Sequence, residues 1–187
     1  EVDSAAFDLS EIHTESVLGV VATTSDAEDQ PVSLSYAWYV SGELVLDDTT
    51  GEAYAGSTLD GVSYFEKGDT VYVVLTPNDG MGDGVPWSLE ASALTVVNSD
   101  FTSAPVVEVT SPDAENDGVP MFGEDDLLCT VTTPAVDPDS ADAIEYTYVW
   151  TDADETEQWS TGPTSELTDT FFGSTTTKGY WTCTVTA

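Results

Sequence analysis

Leu34-Ser35-Tyr36-Ala37-Trp38-Tyr39-Val40 and Ile144-Glu145-Tyr146-Thr147-Tyr148-Val149-Trp150 decide the fold. In both stretches large apolar residues occupy alternate positions, the period of a half-buried β-strand. In both, a Trp lies near the end of the stretch, on the same side as the Tyr two residues before it.

The chain around the first stretch reads as a series of short strands. Residues 5–9 (Ala-Ala-Phe-Asp-Leu) form the first, and 17–23 the second, with Val17, Gly19, Val21 and Thr23 on one side. An acidic turn over 25–31 leads into the aromatic strand 33–40, and Ser41-Gly42-Glu43 turns the chain into 44–46. A further strand is expected over 54–65, with a bulge at Asp60-Gly61. After the turn 66–69, residues 70–77 set Val71, Val73 and Leu75 on one face. A loop rich in Gly and Asp, 78–84, then precedes a final strand over 87–97. Seven or eight such strands predict a β-sandwich.

The pattern then restarts. Residues 98–104 link to a new first strand at 105–109; 127–131 repeats 17–21, and the acidic turn 137–142 repeats 25–31. Further on, 167–172 repeats 59–65, Lys178-Gly179 repeats Lys67-Gly68, and 181–185 repeats 71–75. An offset that stays near 110 residues marks duplication of a whole domain, so domains are expected over 1–98 and 99–187. The class is all-β: two tandem sandwiches, the second lacking its last strand within these residues. Either this is a piece of a longer chain, or another subunit donates the missing strand.

Of the 187 residues, 40% are hydrophobic and five are Trp, enough for real cores. Against this stand 36 Asp and Glu and only two Lys or Arg, a net charge of −34. Such a field repels nucleic acid and anionic membrane surfaces, attracts cations, and implies self-repulsion that salt or bound ions relieve. No apolar run reaches the ~18 residues of a membrane span.

Cys129, Trp150 and Cys183 follow one another in the second copy. That order, with the turn phrases Ser57-Thr-Leu-Asp-Gly61, Lys67-Gly-Asp-Thr-Val71 and Thr76-Pro-Asn-Asp-Gly80, resembles tandem bacterial immunoglobulin-like repeats of surface proteins, related in style to polycystic-kidney-disease-type and cadherin-like modules. The resemblance covers nearly the whole chain and speaks to fold more than to function. It implies a Cys129–Cys183 disulfide packed on Trp150, worth about 4 kcal/mol of loop entropy, and an extracellular or cell-surface location; two free buried thiols are the alternative. It places Trp38, Trp150 and Trp181 in cores. The first copy has Gly19 and Val73 where the second has cysteines, so it holds together by packing. Trp181 stands where a tyrosine-corner Tyr is usual.

Catalysis finds little support. His13 is the one histidine, every acidic cluster falls in a turn, and phosphate-cradling, zinc and Ser-x-x-Lys patterns are absent. The chain is expected not to be an enzyme. Calcium is the better case, because hard cations take six to eight oxygens from closely spaced carboxylates and flexible loops. Candidate ligands are Asp137, Asp139 and Asp142; Asp26, Glu28 and Asp29; and Asp79 and Asp83. By analogy with cadherin-like modules, an interdomain site is expected to draw on Asp137, Asp139, Asp142, Asp100 and Asp69. The competing reading makes all of these solvated turn formers. Partners are then neighbouring copies, further domains of the same chain or a homopolymer. A glycan or surface protein held on Trp87 and Trp159 is the second reading. The two lysines, each followed by Gly, read as turn residues, with a Lys–Asn or Lys–Asp crosslink the remoter alternative.

Overall fold

The computed structural model describes residues 1–47, 56–112 and 120–187. The protein is all-β, built of antiparallel sheets, and divides into two compact units, Glu1–Ser99 and Asp100–Ala187.

Unit 1 contains β1 (Val2–Phe7), β2 (Val17–Thr24), β3 (Ser33–Val40), β4 (Glu43–Asp47), β5 (Thr58–Asp60), a helical turn α1 (Gly61–Tyr64), β6 (Thr70–Asn78), β7 (Trp87–Ser88) and β8 (Leu94–Thr95). One sheet has the order β1-β2-β5; the other has β4-β3-β6-β7, with β8 also on β6. Alternation places Trp38 and Val40 of β3, and Val71, Val73 and Leu75 of β6, in one cluster with Leu18, Val20 and Leu59 of the first sheet. Trp38 is fully buried, and its indole N–H donates to the Gly56 carbonyl at 3.1 Å. That bond removes the penalty of burying an indole N–H unpaired.

Unit 2 contains β9 (Val106–Thr110), β10 (Leu127–Thr133), β11 (Tyr146–Thr151), β12 (Glu157–Thr164), β13 (Thr168–Phe171) and β14 (Thr182–Thr186), in sheets ordered β13-β10-β9 and β12-β11-β14. Its core gathers Leu127, Cys129, Val131, Tyr146, Tyr148, Trp150, Phe171 and Cys183. A disulfide joins Cys129 to Cys183. Trp150 is fully buried, whereas Trp181 is only half-buried, packed on Phe171 with ring centroids 4.6 Å apart.

Several expectations change. The strand expected over 54–65 is three residues long where described, residues 54–55 lying outside the described residues. Asp60-Gly61 is no bulge: β5 ends there and the chain makes one helical turn. Gly61 permits it, because a Cβ would stand 2.5 Å from the Ser16 carbonyl oxygen. The final strand over 87–97 is broken by a 3₁₀ turn at Glu90–Ser92, where the Glu90 N–H donates to the Ser88 hydroxyl, a local bond that competes with a sheet ladder. β12 was not expected. It is an edge strand, mostly exposed, and lacks the alternation that marks a strand with one buried face.

The repeat register also shifts. Leu18 faces Leu59, just before the buried Gly61; Leu127 faces Phe171, just before the buried Gly173. The partner of Leu59 is therefore Phe171 rather than Leu167, and the counterpart of Cys129 is Val20 rather than Gly19. A one-residue slip exchanges the two faces of a strand. Val20 joins the core, while a Cβ on Gly19 would collide with the Asp8 carboxylate that accepts the Gly19 N–H.

Candidate functional site

The register Ser33↔Asn78 brings the start of β3 beside the end of β6, so the turn 25–31 and the loop 78–84 emerge together. With the first residue they wall a cleft of about 310 Å³ whose lining includes Glu1, Asp26, Asn78, Asp79 and Asp83. Asp26 from one candidate set and Asp79 and Asp83 from another thus line one cleft, whereas Glu28 and Asp29 are not among its lining residues. Each is first a turn former. Asp26 accepts the N–H groups of Glu28 and Gln30 at 2.8 and 3.1 Å, and Asp29 takes a left-handed backbone conformation at φ 60°. Asp79 accepts from Met81 and Gly82 at 2.8 and 3.1 Å. Those bonds, Met81 first, hold its carboxyl below the ordinary value. Asp83 accepts from the Asn78 side-chain amide, whose oxygen accepts the Gly80 N–H, both at 2.7 Å.

In unit 2, Asp137 accepts the Asp139 N–H at 2.9 Å, and the Asp139 carbonyl accepts the Asp142 N–H at 2.8 Å. Asp139 is buried. The Thr102 N–H donates to the Val136 carbonyl, so the segment that carries exposed Asp100 runs beside this turn. Asp69 belongs to unit 1, where its carboxylate accepts the Ser41 hydroxyl at 2.6 Å and the Glu66 N–H at 2.8 Å. Among the described residues, no three or more His, Cys, Asp or Glu side chains are grouped to hold a metal ion. The acidic turns carry anionic potential, which attracts cations.

His13 is a tie within unit 1. Its Nδ1 lies 2.8 Å from the Asn98 carbonyl oxygen and its Nε2 3.6 Å from the Glu11 carboxylate. Lys67 donates to the Asn98 side-chain oxygen at 2.8 Å. Trp87 and Trp159 are 39% and 54% exposed, and the Trp159 indole donates to the Thr161 hydroxyl. Sequence reasoning overlooked Tyr39 and Tyr72, which stack at 4.7 Å from adjacent strands. Their position on the face opposite the core residues was the available signal.

A second cleft, of about 240 Å³, lies in unit 2 between Met121 and Gly179, above Leu127 and Trp181. No protein-family model matches this chain, and no curated protein matches its sequence.

Proposed function

We propose that the chain is a structural or adhesive extracellular module, a stalk or filament segment of a cell-surface protein built from two immunoglobulin-like sandwiches. One observation carries the reading: both units use the same strand plan. A first sheet of the β1-β2-β5 kind faces a second built on a central strand with a buried Trp, the arrangement of immunoglobulin-type sandwiches. Trp181 adds support: its indole donates to the Thr177 carbonyl, four residues back, as a tyrosine-corner hydroxyl would. The disulfide fits an oxidising compartment.

The acidic turns are assigned to divalent cations, which relieve the repulsion of a −34 chain and stiffen it. Melting and solution scattering in calcium, then after chelation at constant ionic strength, test that role. A raised melting temperature and a stiffer particle in calcium are expected; identical curves reject it. Electron microscopy of native surface material tests the filament. A glycan- or protein-binding role is the second reading, favoured by the exposed indole of Trp159, and loss of sugar binding in Trp159→Ala is its test.

A further inference from the structure

Both cysteines belong to unit 2, so unit 1 has no disulfide. Its two central strands, β3 and β6, meet in an unbroken antiparallel register from Ser33↔Asn78 to Val40↔Val71. Alternation along that ladder sends Trp38, Val40, Val71, Val73 and Leu75 into the core. The pairs Ala37↔Val74 and Tyr39↔Tyr72 therefore fall on the other face. Directly opposed residues carry their Cβ atoms about 4.5–5.5 Å apart. The two phenol rings stack with centroids 4.7 Å apart and planes 2° from parallel. That spacing leaves no room for another group between them.

This is the one stack of two tyrosine rings among the described residues. Tyr146 and Tyr148 are buried in unit 2, and each hydroxyl has a hydrogen-bond partner. Tyr36 and Tyr64 pack against the core of unit 1, and Tyr180 is 88% exposed. Tyr39 and Tyr72 are half-buried, reached by solvent yet held opposite one another by the ladder. Their neighbours on that face, Ala37 and Val74, offer an oxidant nothing to attack.

We propose that Tyr39 and Tyr72 are an oxidative crosslinking site, joined ring to ring as a dityrosine when the protein meets hydrogen peroxide and a haem peroxidase. Each phenol gives one electron and one proton to the oxidant and becomes a phenoxyl radical. The two radicals pair, forming one carbon–carbon bond between the ring positions beside each hydroxyl-bearing carbon. Each joined carbon then releases its hydrogen as a proton and each oxygen takes one up, which restores both aromatic rings. Two hydrogens leave the protein, and one peroxide is reduced to two waters.

The fold supplies the encounter. Coupling of two radicals on separate molecules waits on diffusion, whereas the β3–β6 register makes it a step within one molecule. Like a disulfide, the bond restricts the unfolded chain, here over residues 39–72, in the unit that lacks cysteines. The proposal goes beyond the structural role above and does not rest on it.

Treating the full chain with hydrogen peroxide and a catalytic amount of a haem peroxidase, then cleaving at glutamate, tests it. Residues 29–43 and 67–90 are expected as one joined product, two hydrogens lighter than the separate peptides together. Oxygen added to exposed Met81 raises the mass by whole oxygens and does not imitate that loss. Tyr39→Phe and Tyr72→Phe keep the ring and remove only the hydroxyl. Each is expected to cut dityrosine fluorescence in the monomer at least about tenfold. Dityrosine found only between molecules, through exposed Tyr180, overturns the proposal. An unchanged yield in either Phe variant also overturns it. Neither outcome touches the calcium and filament tests, so the two readings fail separately.

Discussion

The indole N–H of Trp150 donates to the Asp169 carboxylate at 2.7 Å, where Trp38 in unit 1 uses the Gly56 carbonyl. Asp169 sits on β13, opposite Cys129, so this bond ties the two sheets of unit 2 across its core. Asp169→Ala leaves the indole unpaired and is expected to cost about 1–3 kcal/mol. Asp169→Asn keeps an acceptor and is expected to cost less. Urea unfolding of both variants checks the order; equal losses would refute the tie.

The corrected repeat register predicts where a second disulfide fits. The pair Val20→Cys and Val73→Cys occupies the positions of Cys129 and Cys183, and is expected to crosslink and stabilise unit 1 by up to about 4 kcal/mol. The pair Gly19→Cys and Val73→Cys is expected to stay reduced, because a side chain at residue 19 meets the Asp8 carboxylate. Thiol titration and melting distinguish them.

Asp79 predicts an acid transition in the loop 78–84. Its folded pKa is depressed below 3.8, so the support it gives to the Met81 and Gly82 amides is complete above 3.8 and is lost as pH falls through the lower folded value. The Met81 and Gly82 amide resonances are expected to titrate with a midpoint below 3.8, and not at all in Asp79→Asn. A midpoint at or above 3.8 contradicts the assignment.

Net charge predicts a dependence on salt. With a charge of −34 and two lysines, repulsion is the dominant long-range term. The melting temperature is expected to rise by roughly 5 °C or more between about 0.05 and 1 M NaCl. A flat or falling response in calorimetry would show that the carboxylates are already neutralised by bound ions.

Lys67 meets Asn98 through a hydrogen bond to the amide oxygen, at an exposed site. Water around such a pair favours that bond over condensation to an amide. Intact mass is expected to show the disulfide's loss of hydrogen and no loss of ammonia; an ammonia loss would establish the crosslink.

The all-β class and both central strands were legible in the residues, because alternation at Tyr36/Trp38 and Tyr148/Trp150 repeats the period of the pleat. β12 was hidden because its faces are nearly equally wet, so no alternation was left to read. The register of the repeat was missed for a related reason. Sequence similarity aligned Gly19 with Cys129, and only pairing with β5 and β13 shows which neighbour faces the core.

The acidic turns divide the same way. Composition determined that they carry large negative potential, and their Asp and Gly content that they turn the chain. Only the folded chain decided that Asp26, Asp79 and Asp83 share a cleft, since that follows from β3 lying against β6 with Ser33 opposite Asn78, 45 residues away in sequence. The pairing of β14 with β11 is likewise a tertiary property. A strand's sequence specifies which side chains turn inward, but its backbone groups are satisfied or left open by whatever strand lies beside it.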